Sequence, residues 1–185
     1  MTTDFTPDLF FGFAPMSVNF INNSSAVSSG TGSASSGITS VWSFGNGTSQ
    51  TTTTNINTNS YYEAPGTYTV MLISSKGSCL DTAYKIIKVD APSKLEIPNV
   101  FTPNGDGSND VFFLKTTNLG EINAIIFDRW GNKVYETMST TGNIGWDGKN
   151  LQGKECSSGV YYYIITAVGK DSKPYKTKGN VSLFR

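Results

Sequence analysis

Histidine is missing from this chain altogether. With it go the commonest general base and the commonest transition-metal ligand. Cysteine occurs only as Cys79 and Cys156, too few thiolates for a zinc pattern. The two pair in an oxidising compartment or stay as buried thiols, and the sequence does not choose between these. Neither sign of charge is in excess: 14 Lys and Arg balance 14 Asp and Glu, and charged residues make up 15% of the chain. Electrostatic capture of nucleic acid or of an anionic membrane needs a basic surplus, so neither is an expected partner. No apolar run is long enough to span a bilayer, which argues against direct membrane insertion. A leader is not visible either, because Met1 is followed by Thr2-Thr3-Asp4 rather than by a basic and then apolar segment. The Ser/Thr-rich, charge-poor composition then favours a fragment of a longer exported protein over a cytosolic chain.

What the chain has is aromatic and β-branched residues, with 11 Phe, 9 Tyr and 3 Trp, a composition that favours strands. In residues 1–91, Val18 and Phe20 alternate with Ser17 and Asn19, a period-two signal. Residues 22–37 are almost all small and polar, which reads as a flexible loop. Trp42 and Phe44 mark a core face across Ser43, and Gly45-Asn46-Gly47 supplies a hairpin turn. Ser49 to Asn59 reads as a half-exposed strand or an edge loop. After the turn at Pro65-Gly66, Tyr68, Val70 and Leu72 alternate with Thr67, Thr69 and Met71. A loop at Lys76-Gly77-Ser78 leads into a strand from Asp81 to Val89. Short strands at this spacing indicate an antiparallel sandwich.

Two of these segments, Trp42-Ser43-Phe44-Gly45-Asn46-Gly47 and Tyr62-Glu63-Ala64-Pro65-Gly66-Thr67-Tyr68-Thr69-Val70, resemble the PKD (polycystic-kidney-disease) domain over residues 8–90. Ser43 and Asn46 stand where that pattern has Asp. The resemblance implies a seven-stranded Ig-like sandwich that serves as a spacer or contact module in surface proteins. Trp42 reads simply as a core residue.

The pivot of the sequence is Ile97 to Phe113. Two prolines and two glycines punctuate a run of oxygen-bearing side chains, Thr102, Asn104, Asp106, Ser108, Asn109 and Asp110. Such a run forms neither helix nor central strand and reads as a tight polar loop opening a second domain, residues 97–185. Val111–Leu114, Ala124–Phe127, Lys133–Glu136 and Val160–Thr166 read as strands, with a turn at Gly131-Asn132, a loop over 137–145 and a charged hairpin tip over Lys170–Lys176. A last strand runs to Arg185. The fold class is all-β: two tandem antiparallel Ig-like β-sandwich domains, 1–91 and 97–185.

Five segments in order then carry a second resemblance. They are Pro98 to Asp110, Phe127-Asp128-Arg129-Trp130-Gly131, Trp146-Asp147-Gly148, Gly159-Val160-Tyr161-Tyr162-Tyr163, and the closing Gly179, Leu183 and Arg185. They resemble the gliding-motility-associated C-terminal domain, the type B sorting domain of the type IX secretion system. Asp128 stands where that family has Asn. The resemblance implies a non-catalytic export signal, with the type IX translocon or its shuttle proteins as partner. The expected location is outside the cell or on its surface, beyond the outer membrane. Candidate recognition residues are Arg129, Trp130, Gly131, Gly179, Leu183 and Arg185. A final strand at a sheet edge would offer unpaired backbone to that partner.

Bottom-up chemistry leaves three further readings. With Gly107 set at the sixth position of an EF-hand-like loop, Asn104, Asp106, Ser108 and Asp110 fall at positions 3, 5, 7 and 9. Thr102 is a poor first ligand and Phe113 takes the place of the bidentate Glu, so the loop either binds Ca²⁺ with outside help or caps itself. Asp106, Asp110, Asp128 and Asp147 are the acids a glycosidase would need, but nothing in the spacing makes two of them converge, and Cys156 lacks an activating His. An enzyme is not expected. Trp130 and Trp146 either cap the sandwich core or stack on sugar rings, which keeps an adhesion or carbohydrate-binding module as the alternative.

Overall fold

Every second residue from Met16 to Asn22 is buried, and this alternation recurs along most of the chain. The computed structural model describes residues 1–26, 37–53, 56–141 and 144–185. Most of the loop expected over 22–37 lies outside these residues. The described residues are strands and turns without helix. None of their elements is a helix long and apolar enough to cross a membrane. The chain divides into two compact units, Met1–Ala91 and Pro92–Arg185.

The first unit holds a three-stranded and a five-stranded sheet. β1 (Phe5–Pro7), β3 (Met16–Asn22) and β6 (Thr58–Tyr62) form the order β1-β3-β6. The larger sheet has the order β2-β8-β7-β4-β5, built from β2 (Phe11–Phe13), β4 (Thr39–Ser43), β5 (Ser49–Thr53), β7 (Gly66–Lys76) and β8 (Cys79–Asp90). All pairs are antiparallel except β2 with β8, which run parallel from Phe11↔Lys88 to Phe13↔Asp90. Inner faces meet around Trp42, which packs edge-on against Phe5 at 5.2 Å and stacks on Phe44 at 6.1 Å. The glycine at 45 is obligatory. Its φ is +78°, and a Cβ there would sit 2.7 Å from the Thr69 carbonyl oxygen. Asn46 closes the same turn: its amide donates to Ser60 Oγ and the Tyr61 carbonyl, and its Oδ1 accepts from Thr48. An Asp could not make the two donations, so Asn is chemically at home here. The short loop at Lys76-Gly77-Ser78 is a tight hairpin turn, with Lys76 opposite Cys79.

In the second unit the main sheet is β10-β17-β16-β13-β14. Its strands are β10 (Val100–Phe101), β13 (Leu119–Phe127), β14 (Lys133–Ser139), β16 (Gly159–Gly169) and β17 (Pro174–Leu183). The facing layer comes in two pieces. β9 (Lys94–Glu96) pairs with β12 (Lys115–Thr117), and β11 (Phe112–Phe113) pairs with β15 (Gly145–Trp146). Leu114 interrupts the run between β11 and β12, and its N–H donates to the Ile144 carbonyl at 3.1 Å. Trp146 is fully buried among Phe101, Tyr161 and Tyr135.

Four local expectations are corrected. β14 runs to Ser139, into the stretch read as a loop, of which residues 142–143 lie outside the described residues. The hairpin tip ends at Lys173, because Pro174 is the first residue of β17, a position where its missing N–H costs nothing. β9 and Ser93 belong to the second unit, upstream of the expected start at 97: Ser93 N–H donates to Asp171, and Tyr175 OH donates to the Ser93 carbonyl. Finally, the end of β17 is not an open edge. β10 lies parallel along it at Ser182–Leu183, and the N–H groups of Ser182 and Phe184 donate to Asn99 and Phe101. Both cysteines are free thiols, Cys79 exposed and Cys156 buried, with burial pushing the Cys156 thiol up.

Candidate functional site

The turn from β13 to β14 is built by one carboxylate. Asp128 Oδ1 accepts from the N–H groups of Trp130 (2.9 Å) and Asn132 (2.8 Å), and Oδ2 accepts from the Asn132 amide. Desolvation raises the Asp128 carboxyl, but these hydrogen bonds outweigh it and hold the group below the usual carboxylate range. Both oxygens are used, so Asp serves this turn as well as the family's Asn. Gly131 takes φ +84° at the corner. The turn thrusts Trp130 outward, 77% exposed, with the Arg129 guanidinium 5.2 Å over its ring. Of the two alternatives for these tryptophans, core capping therefore describes Trp146 and not Trp130. Its indole N–H finds the Lys149 carbonyl at 2.7 Å, whereas Trp130 is a surface group.

Arg185 is spread across three loops. Its guanidinium and Nε donate to the carbonyls of Cys156 (3.2 Å), Gly148 (3.2 Å) and Pro103 (3.4 Å), and Nη1 also pairs with Glu155 at 3.2 Å. Gly148 makes this approach feasible. At φ +78° a Cβ would meet Leu183, Arg185 and Pro103. Leu183 is fully buried. Gly179 sits opposite Tyr163, whose ring and hydroxyl occupy the space a Cβ would need. Thus Gly179 and Leu183 sit in the packing of the unit and Arg185 is tied to its surface by hydrogen bonds, while Arg129, Trp130 and Gly131 are exposed.

Beside Gly131 and Gly179 lies a depression of about 540 Å³ whose lining includes Phe127, Asp128, Arg129, Tyr162, Lys178 and Asn180. It continues an exposed apolar row on β16, where Val160, Tyr162, Ile164 and Val168 are each between 43% and 50% exposed. Sequence reasoning missed this surface. The strand over Val160–Thr166 is legible, but a strand apolar on both faces does not reveal which face lacks cover.

The loop at 102–110 caps itself. Asp110 accepts from Gly105 and Gly107 N–H at 2.7 and 2.8 Å, and Asp106 N–H and Ser108 N–H donate to Asn104 and Asp106. The Asn104 amide and the Ser108 N–H hold the Asp106 carboxyl below its ordinary range. The side-chain oxygens of Asn104, Asp106 and Asp110 thus serve the loop's own amides, and Ser108 contributes its N–H. No group of three or more Cys, Asp or Glu among the described residues is placed to hold a metal ion. Asp147 likewise caps Lys149 N–H at 3.0 Å.

The sandwich architecture and the capped polar turns define a tandem of Ig-like β-domains. Residues 14–78 match the PKD domain, and residues 95–183 match the CHU_C type IX secretion signal domain. The chain therefore carries a PKD domain followed by a type IX secretion signal domain. No curated protein matches it. Among solved structures, it is similar to a carbohydrate-binding module of the β-sandwich superfamily, at 15% identity over 98% of this chain and 90% of that one, with TM-score 0.44. An I-band fragment of titin aligns at 12% identity over 98% and 65%, with TM-score 0.46. PorZ, a surface component of the type IX secretion system of Porphyromonas gingivalis, aligns at 17% identity over 62% and 15%, with TM-score 0.35. The chain thus spans about a seventh of PorZ.

Proposed function

We propose that Pro92–Arg185 is read as a folded object by the type IX translocon or its shuttle proteins, and that the attached polypeptide follows it out of the cell to be released or held at the surface. The PKD domain is the spacer. The mechanism is recognition without catalysis. The observation that carries this reading is the division of labour among the motif residues: Gly179 and Leu183 are committed to packing and Arg185 is tied down by hydrogen bonds, while Arg129 and Trp130 are presented outward on a capped turn. A signal read as a linear tail would not bury Leu183 or pin its arginine. Fusion of residues 92–185 to a fluorescent protein tests the reading. Export in a cell with a working type IX system is expected, and retention in the periplasm counts against it.

The exposure of Trp130 favours a second reading, a glycan contact. Retention on a polysaccharide column, lost on Trp130→Ala with the fold intact, would support it. Calcium binding at Asn104, Asp106, Ser108 and Asp110 is a lesser proposal, since the carboxylates already serve backbone amides. A calorimetric titration of metal-free protein decides it.

A further inference from the structure

β10 covers β17 only at Ser182 and Leu183. In that ladder the N–H groups of Ser182 and Phe184 point toward β10. Main-chain direction alternates along a strand, and the β16·β17 register runs without a break from Pro174 to Leu183. The main-chain groups of Lys176, Lys178 and Asn180 therefore point out of the same edge, and no strand among the described residues pairs with them there. Side chains alternate with the same period, about 6.7 Å between residues on one face. The residues with outward main chain are thus those with exposed side chains, Lys176, Lys178 and Asn180. Lys178 and Asn180 also line the depression with Arg129, Phe127 and Tyr162.

Cations outnumber carboxylates here, Asp128 being the one acid in the lining of the depression. Among the described residues, Arg129, Lys176 and Lys178 have no acidic partner in ion-pair range. The nearby carboxylates of Asp128 and Asp171 are engaged by backbone N–H groups of Trp130 and Ser93. An edge with free hydrogen-bonding groups, cations at the strand repeat and an apolar trough beside it matches one kind of ligand, an extended polypeptide with acidic side chains.

We propose that the partner reads the second unit by strand addition. An acidic, extended segment of the partner pairs with the open stretch Lys176–Asn180 and sets alternate carboxylates against Lys176 and Lys178. This rests on the export reading above and names the chemistry of its partner.

The test uses the full chain, its Lys176→Glu/Lys178→Glu variant, and Lys178→Pro, which removes an outward N–H without touching the β16 ladder. A synthetic peptide of about ten alternating Glu and Val residues, followed by fluorescence anisotropy, is the binding probe. An alternating Lys and Val peptide is the control. Expected are binding of the Glu peptide alone, roughly tenfold weaker binding by the charge-reversed variant, loss of binding with Lys178→Pro, unchanged thermal midpoints, and export reduced in parallel. If both variants bind the Glu peptide and are exported like the parent, the lysines merely guard an edge against aggregation and the proposal is overturned. Peptide binding that follows the proposal in a chain that is not exported would support the edge chemistry and count against the export reading instead.

Discussion

The two sandwiches share one plan for the larger sheet. In the first it is β2-β8-β7-β4-β5, in the second β10-β17-β16-β13-β14, and in each a short early strand lies parallel along the end of the last strand. Each leaves most of that last strand's outer edge without a paired strand among the described residues. The chemistry at the two edges differs. On β8 the outward face carries Leu80, Tyr84 and Ile86, all at least 60% exposed, whereas on β17 it carries Lys176, Lys178 and Asn180. The ends differ as well. The second unit is closed by the Arg185 guanidinium bridging three carbonyls. The lesson is that one sheet topology carries two different edge chemistries.

The comparison breaks most sharply at the cores. Trp42→Ala and Trp146→Ala each remove a fully buried indole and should each cost about 3–5 kcal/mol of stability. Export is expected to survive Trp42→Ala and to be lost with Trp146→Ala. Thermal denaturation followed alongside a secretion assay checks this, and equal secretion defects would erase the distinction between the units.

Next in size are the arginines of the second unit. Arg185→Ala strips charged hydrogen bonds from three backbone carbonyls and should cost about 1–3 kcal/mol by urea unfolding. Arg129→Ala, at an exposed turn, should change stability by less than about 0.5 kcal/mol while lowering export. A reversed order would mean that Arg185 is read directly and Arg129 is structural.

A finer contrast lies in the indole N–H groups. Trp146 donates to Lys149, but Trp42 Nε1 has no partner among the described residues. Trp146→Phe should therefore be the more costly of the two phenylalanine exchanges, by about 1 kcal/mol.

The smallest effect is the response to acid. Asp8 and Asp81 in the first unit, and Asp106, Asp128 and Asp171 in the second, all titrate below the ordinary range. A depressed folded-state pKa favours folding fully above the unfolded value near about 4, and that contribution disappears as pH falls through the folded values. Urea midpoints should fall between neutral pH and about pH 3, with the second unit losing more. At the alkaline end the sign reverses. Burial pushes the Tyr62 phenol up to about 12, so its contribution to the first unit is present below pH 10 and is lost as pH rises toward 12.

Much of this was legible in the residues. The strand positions came from period-two alternation, and the Gly45 and Gly131 corners from turn chemistry. Trp42 was readable as core. The all-β tandem of Ig-like sandwiches follows from these signals, and the structure has that architecture. The sequence leaves the direction of Trp130 open, because an aromatic next to a glycine reads alike whether its turn points in or out. Only the Asp128 hydrogen bonds set that direction. The final strand was read as a free edge because a two-residue parallel pairing such as Val100–Phe101 leaves no local signature. The three carbonyl partners of Arg185 come from loops distant in sequence, at 103, 148 and 156, which no spacing rule connects.

The most direct measurement compares two fusions to a fluorescent protein, one bearing residues 1–91 and the other residues 92–185, expressed in a cell with a working type IX system. Fluorescent protein delivered outside the cell by the second fusion and withheld from the medium and surface by the first is the predicted result. Delivery by the first, or periplasmic trapping of the second while its sandwich is folded, would contradict the claim that the second sandwich is the signal.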